Sequence, residues 1–313
     1  MKILFTGASS FSGMWFIKAL IMAGHEVTPI YSSTYKAYEG IRKQRVDQIL
    51  KICQPIFEAP FGHKTFLGVI TSFSNWDIFC HHAAEVANYK NSDFNPIAAL
   101  AKNTYNLQEV LQVLKASGCH HVALTGSVFE QNEGAGSENL KAVSPYGLSK
   151  SLTSDTFAFY TSTLQMNLGK FIIPNPFGSF EEARFTSYLA KNWLSHQIPS
   201  INTPQYVRDN IPISLLAATY VKFVTHFSRL KALELIKYNP SFFAESQAEF
   251  TQRFSQAMQT RFAIQCPYEL KLQTDFNEPL VRINTDRIDA NEFLWNETQF
   301  WDELADYYIK IFG

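Results

Sequence analysis

Short apolar runs recur along the first half of the chain and alternate with longer stretches whose apolar positions follow helical spacing. The runs "KILFTG", "HEVTPIYSS", "WDIFCHHAA" (ending near Ala84), "HHVALTGS" and "KFIIPNPFG" read as strands. Between them, the pattern predicts a helix from about Phe11 to Ala23, stopped by Gly24. A long helix is expected over "NPIAALAKNTYNLQEVLQVLKASG", entered at Pro96 and left at Gly118. Another covers "PYGLSKSLTSDTFAFYTSTL". Strands that are apolar throughout, separated by helices, predict an α/β fold with a doubly wound parallel sheet covered on both faces. After about Gly178 the rhythm loosens into helical stretches near 184–195, 213–228 and 245–260 and an aromatic-rich closing helix, "ETQFWDELADYYIKIF". This predicts a first domain over 1–176 and a smaller C-terminal α/β lobe over 177–313, with the chain free to interleave. Pro29 fits poorly: it removes a ladder donor from a strand expected to have neighbours on both sides.

Composition narrows the function classes. Of 313 residues, 46% are hydrophobic and 18% charged, as in a packed globular protein. A net charge of −1 without any basic block argues against nucleic acid or an anionic membrane as partner. The opening lacks a signal peptide's long apolar stretch, and "MWFIKALIMAG" is too short to span a bilayer. Cys53, Cys80, Cys119 and Cys266 have no paired spacing, so free thiols in a reducing cytoplasm are expected. "CHH" occurs twice, but its copies end one strand and begin the next, roughly 17–20 Å apart for an ordinary strand. No metal site is expected.

"TGASSFSG" joins the first strand to the first helix. Gly7 permits a tight turn, Gly13 lets the helix lie close to the sheet, and the helix start offers amides to a pyrophosphate. Ser9, Ser10 and Phe11 lie in this turn; Ser10 takes a place where glycine is easiest, and its hydroxyl is offered to a phosphate oxygen. After the second strand no acid occurs until Glu39. A carboxylate there would bind a ribose 2′-hydroxyl. Ser32, Ser33 and Lys36 instead suit a 2′-phosphate, with Arg42 more distant, so NADP(H) is expected, with NAD the alternative.

In "SPYGLSKS", Tyr146 and Lys150 stand one helical turn apart. A tyrosine titrates near ~10, and bringing it near 7 takes about 4 kcal/mol of preferential phenolate stabilisation. A neighbouring lysine in a shielded site supplies positive charge for this. The preceding strand end, "ALTGSVFE", offers a hydroxyl from Thr125 or Ser127 at the edge where ligands sit in open α/β folds.

Together these segments resemble the extended short-chain dehydrogenase/reductase family, in particular its nucleotide-sugar epimerases, dehydratases and reductases, over essentially the whole chain. "TGASSFSG" is similar to its TGxxGxxG turn, "HHAAEV" to its H-x-A-A segment, and "YGLSK" to its YxxxK pair. "NTYNLQEVL" carries its helix asparagine, Asn103; "IPNPFG" its NPxG turn; "VRDNIPISLLA" its RD segment. The resemblance implies a Rossmann-type first domain in which His82, Ala83, Ala84, Asn103 and Lys150 also contact the cofactor. It implies Tyr146 as acid/base, Lys150 as its tuner, and Thr125 as the orienting hydroxyl, with Ser127 as the substitute. Asn175, Arg208 and Arg282 would bind a nucleotide sugar, and a homodimer would form through helices at about 95–117 and 145–165. Gly126 and Ser127 stand where sugar dehydratases carry acids, so epimerisation or keto-sugar reduction is expected. The rival is a non-catalytic NADP(H)-sensing regulatory or assembly protein of the same fold.

Overall fold

The computed structural model describes residues 1–313 except 74, 90, 92, 232–234 and 274–277. In chain order come β1 (Lys2–Thr6), α1 (Phe11–Met22), β2 (Glu26–Ile30), α2 (Gly40–Leu50), α3 (Lys64–Ser72), β3 (Ile78–His81), α4 (Pro96–Asn103) and α5 (Leu107–Ala116). Then follow β4 (His121–Ser127), β5 (Ala135–Gly136), α6 (Pro145–Thr163), β6 (Asn167–Ile173), β7 (Asn175–Phe177), α7 (Phe185–Leu194), β8 (Ser200–Ile201), β9 (Val207–Pro212), α8 (Ile213–Phe227) and β10 (Leu235–Tyr238). The remainder holds β11 (Pro240–Ser241), β12 (Phe243–Ser246), α9 (Gln247–Phe262), β13 (Glu269–Leu270), β14 (Val281–Ile283), β15 (Asp286–Arg287) and α10 (Glu297–Phe312).

The chain divides into two compact units, and a single cut near 176 does not describe them. The first comprises Met1–Glu133, Leu140–Ile173 and Ala217–Asn239; the second comprises Gly134–Asn139, Pro174–Leu216 and Pro240–Gly313. The reason is pairing: β10 returns to the first unit to lie parallel to β6, while Arg282 and Ile283 of β14 pair with β5 in the second.

The first unit is a six-stranded parallel sheet in the order β10-β6-β4-β3-β1-β2. Every residue of β3 is buried, as are all of β4 but its two ends and all of β6 but Ile173, which explains their unbroken apolar runs. On one face Leu4, Phe79, Val122, Leu124 and Leu168 pack with Phe66, Ile70, Leu111, Leu114 and Phe157 of α3, α5 and α6. On the other, Phe16 of α1 stacks on Tyr220 of α8 at 4.1 Å, and Phe171 meets both edge-on.

Pro29 is accommodated because β2 is the sheet edge. Beyond it lies one isolated bridge, Ile30 to Ile56. The Tyr31 amide donates to Ile56 and Pro29 accepts from Ile56, so residues 29 and 31 face outward, away from β1. The donor that proline lacks is therefore one that a continuing outer strand would need, and the outer strand stops at a bridge.

The long helix expected over 95–118 is two helices. Asn106 takes a left-handed conformation (φ 50°), and its side-chain amide donates to the Gly62 carbonyl. Asparagine tolerates that conformation, and a left-handed residue breaks the helical ladder. The two "CHH" segments lie closer than expected, because β3 has four residues. His81 pairs with Leu124, three residues beyond His121, an offset of about 10 Å along the strand. Their histidines have other partners: His81 meets Thr6, and His121 meets the Leu230 carbonyl. No described helix is long and apolar enough to cross a membrane.

The second unit is built on a five-stranded sheet in which β9 is flanked by β12, β14 and β7, with β5 beyond β14. Its apolar core joins Phe177, Leu189 and Trp193 to Phe250, Phe254, Trp301 and Tyr308.

Candidate active site

The turn after β1 is shaped by contacts a side chain would obstruct. Gly7 has φ 79°, and a Cβ there would lie 2.7 Å from the Ala83 amide nitrogen. A Cβ on Gly13 would lie 2.4 Å from the Gly7 carbonyl oxygen. Both approaches are backbone to backbone, so glycine is required. The first two helix amides, Phe11 and Ser12, have no hydrogen-bond partner among the described residues, which leaves them to an anion at the helix start.

Ser10 is the helix N-cap. Its hydroxyl donates to the Gly7 carbonyl at 2.9 Å and accepts from the Gly13 amide at 3.0 Å. The proton that the sequence offered to a phosphate is thus turned inward. His82 completes this arrangement: Nε2 lies 2.9 Å from Ser10 Oγ and 3.1 Å from Ser12 Oγ, and Nδ1 lies 2.9 Å from Thr125 Oγ1. Because the Ser10 proton is committed, Nε2 must carry the hydrogen toward it, and Nδ1 accepts from Thr125. Burial, with the nearby Lys150 cation, pushes His82 down to about 3 and keeps it neutral. A half-buried histidine therefore ties the glycine turn to the end of β4.

At the end of β2, Ser32 and Lys36 are exposed and Ser33 is half-buried. Arg42, distant in sequence, comes much closer to the turn than expected. α2 packs against α1, and Arg42 Nη2 donates to Ser9 Oγ at 2.8 Å. Asn103 is committed on both sides: Oδ1 accepts from the Glu85 amide at 2.7 Å and Nδ2 donates to Thr153 at 3.2 Å. It anchors the segment carrying Ala83 and Ala84 to α6.

α6 starts at Ser144, whose hydroxyl accepts from the Gly147 amide, with Pro145 in the first turn. Gly147 lets the helix touch the β4 exit: a Cβ there would lie 2.3 Å from the Phe129 carbonyl oxygen. Tyr146 is half-buried, with its ring 5.1 Å from Tyr89 and 6.2 Å from Phe94. Lys150 is buried and donates to the Thr125 carbonyl at 2.6 Å. Desolvation holds its ammonium below the usual lysine range, Glu130 opposes that, and Lys170 reinforces it. Of the two strand-end hydroxyls, Thr125 is buried against His82, whereas Ser127 is half-buried.

In the second unit, Arg208 and Arg282 are register partners on β9 and β14, both buried. Arg208 pairs with Glu278 at 2.6 Å and lies over the Tyr206 ring. Burial lowers it to about 9 despite Glu278. Two neighbouring buried guanidiniums favour an anion. Asp209, next in the chain, holds the Phe242 and Asn284 amides. Asn175 donates to Asn210 at 2.6 Å.

Sequence reasoning gave His82 only as a cofactor contact and passed over Glu130 and Arg45. Arg45 is buried in α2, with Nη1 3.4 Å from the Ser9 carbonyl. A buried arginine and glutamate have no periodic signature; the only clue to Glu130 was an acid following the strand in "SVFE".

Residues 3–236 match the sequence profile described as the NAD dependent epimerase/dehydratase family. No curated protein matches the chain. Among solved structures, UDP-glucose 4-epimerase of Thermotoga maritima with UDP-glucose has a TM-score of 0.73 at 15% identity, covering all of both chains. UDP-glucuronic acid 4-epimerase of Bacillus cereus, with UDP-glucuronic acid and NAD, has 0.72 at 17%, covering 99% of this chain and 100% of that one. UDP-glucose 4-epimerase of Bifidobacterium longum, with NAD+ and UDP, has 0.71 at 18%, covering 99% and 98%. At these identities the likeness is one of fold, and the profile match decides membership. The chain belongs to the NAD dependent epimerase/dehydratase family, within the extended short-chain dehydrogenase/reductases.

Proposed function

We propose that this protein is an NAD(P)-dependent nucleotide-sugar 4-epimerase. The carrying observation is Lys150: a buried ammonium fixed to the end of β4, one turn after Tyr146, in the unit that carries the glycine cradle. The structural neighbours named above act on UDP-sugars, which supports that substrate class. The residues present fit a dinucleotide. The Phe11 and Ser12 amides would meet its pyrophosphate, and Lys150 its nicotinamide ribose. When bound, the dinucleotide would supply reversible hydride acceptance at the sugar C4.

The protein's own residues move the proton. Tyr146 takes it from the sugar 4-hydroxyl and gives it back to the 4-keto oxygen once the opposite face of C4 is presented for reduction. Lys150 stabilises the phenolate. Ser127 orients the sugar oxygen, because its hydroxyl is the accessible one of the pair; Thr125 is spent on His82. Arg208 and Arg282, register partners buried in the second unit, suit a diphosphate. Arg42 beside Ser9, with Lys36 and no acid at the end of β2, favours NADP(H). Exposed Ile97, Tyr105 and Phe159 on and beside α4 and α6 suit the homodimer face that the family resemblance implies.

The test is to identify the nucleotide released on denaturation, then follow 4-epimerisation across a panel of UDP-sugars. Tyr146→Phe should abolish turnover. Ser127→Ala should cost about a hundredfold in kcat, within the range for acid–base groups, and Thr125→Val less. The reverse order returns the hydroxyl role to Thr125. Net oxidation of NADPH with a keto sugar would make the protein a reductase. Dinucleotide binding with no turnover across the panel would favour the sensing protein.

A further inference from the structure

Beside the end of β4 lies a file of alternating buried charges that the mechanism above does not use. Glu130 is 0% exposed. Its Oε1 accepts from the Ser127 amide at 2.7 Å, and its Oε2 lies 2.5 Å from Lys170 Nζ. Lys170 also meets Glu133 at 2.7 Å, and Glu133 meets Lys237 at 2.7 Å. Lys170 and Glu133 are buried, and Lys237 is 42% exposed at its side chain. The file therefore starts against the segment that holds Lys150 and ends at the surface, all within the first unit.

Gly126 makes room for it. A Cβ at that position would lie 2.7 Å from Lys170 Cε and 3.1 Å from Glu130 Oε1. Fully buried carboxylates and ammoniums are costly and persist when each is paired. Here the pairing is graded. Lys170 has two carboxylate partners, so part of the Glu130 charge is left to act on Lys150.

We propose that Glu130 and Lys170 are positioning residues that set the charge on Lys150 with opposite signs, Glu130 keeping it protonated and Lys170 limiting that effect. The groups around Lys150 are consistent with this assignment. The β3 end contributes His81 and His82, both held neutral by burial and pushed down to about 3. β4 contributes the Thr125 carbonyl, and α4 packs on α6 through uncharged Asn103. Tyr146 stands on the same helix. Of the charged groups in this file, Glu130 favours the Lys150 ammonium and Lys170 disfavours it.

The consequence for turnover rests on the proposed role of Lys150, but its titration does not. Uniformly 13C-lysine-labelled full-length protein, with the Lys150 signal assigned from its loss in Lys150→Met, reports that titration by NMR. Glu130→Gln keeps an oxygen for the Ser127 amide and removes the charge; it should lower the Lys150 midpoint by about one pH unit or more. Lys170→Met should raise it, and the double variant should fall between. Lys237→Met should leave it unchanged, because solvent screens the outer end. In active protein, Glu130→Gln should also move the alkaline limb of the kcat profile to lower pH. Shifts of the same sign in the two single variants, or none, would overturn the proposal. If Glu130→Gln does not fold, absence of a rise in Lys170→Met is sufficient to overturn it. Opposite shifts in a protein without turnover would support the charge file and count against the epimerase.

Discussion

Gly147→Ala sets two magnitudes against each other. Helix propensity alone favours alanine by about 0.5–1 kcal/mol in a helix interior. The structure opposes it. The added Cβ would lie 2.3 Å from the Phe129 carbonyl oxygen, and ordinary contact begins at 3.4 Å, so the two must separate by 1.1 Å. Neither side yields by a rotamer change. The Phe129 oxygen is backbone and also accepts the Val143 amide at 3.0 Å. Overpacking of this kind costs about 1–3 kcal/mol, which outweighs the propensity gain. A retreat of that size moves Tyr146 and Lys150 from the β4 exit, and a 1 Å displacement can cost about a hundredfold in rate. Thermal unfolding and kcat, measured on the same preparation, should show a modest loss of melting temperature and a far larger loss of turnover. A variant that melts higher than wild type and turns over normally would refute the contact between α6 and the β4 exit, and with it the account of how Lys150 is placed.

Arg42→Ala should weaken NADP(H) binding about tenfold or more and leave NAD(H) nearly unchanged, since a charged hydrogen bond contributes about 1.5–3 kcal/mol; equal losses for both nucleotides, by fluorescence titration, would remove Arg42 from the 2′-phosphate. Glu181 is buried against Thr186 and Tyr308, and burial pushes its carboxyl from 4.5 up to about 7. Its folded-state value is the higher one, so its stabilising contribution is complete below 4.5 and is lost as pH rises through about 7, roughly 3 kcal/mol in all. Glu181→Gln should therefore melt higher than wild type at pH 8 with a flatter pH dependence; parallel melting curves from pH 5 to 8 would contradict this.

Much of the first unit was written in local patterns. Apolar strands and a glycine turn after the first of them are short-range features, and each survives in the structure as an element or a close approach; Tyr146 and Lys150 both lie on α6, from which Lys150 reaches the Thr125 carbonyl. The interruption at Asn106 was harder to see, because asparagine is tolerated inside a helical pattern and becomes left-handed only when Gly62 offers a partner. The division of the chain was similarly hidden. Nothing in a short strand such as Leu235–Tyr238 says that it will return to pair with β6.

The chemistry of the site divides in the same way. Sequence alone determined the residue types at the turn, at the end of β4 and along α6, because their spacing is set by single strands and helices. Tertiary structure alone decided what those residues are free to do. It set His82 against Ser10, bound Thr125 to His82, brought Arg42 to Ser9, and placed Lys170 against Glu130. These contacts join elements distant in the chain. In a close-packed interior, partnership and burial set charge and reach, and neither quantity belongs to a residue by itself.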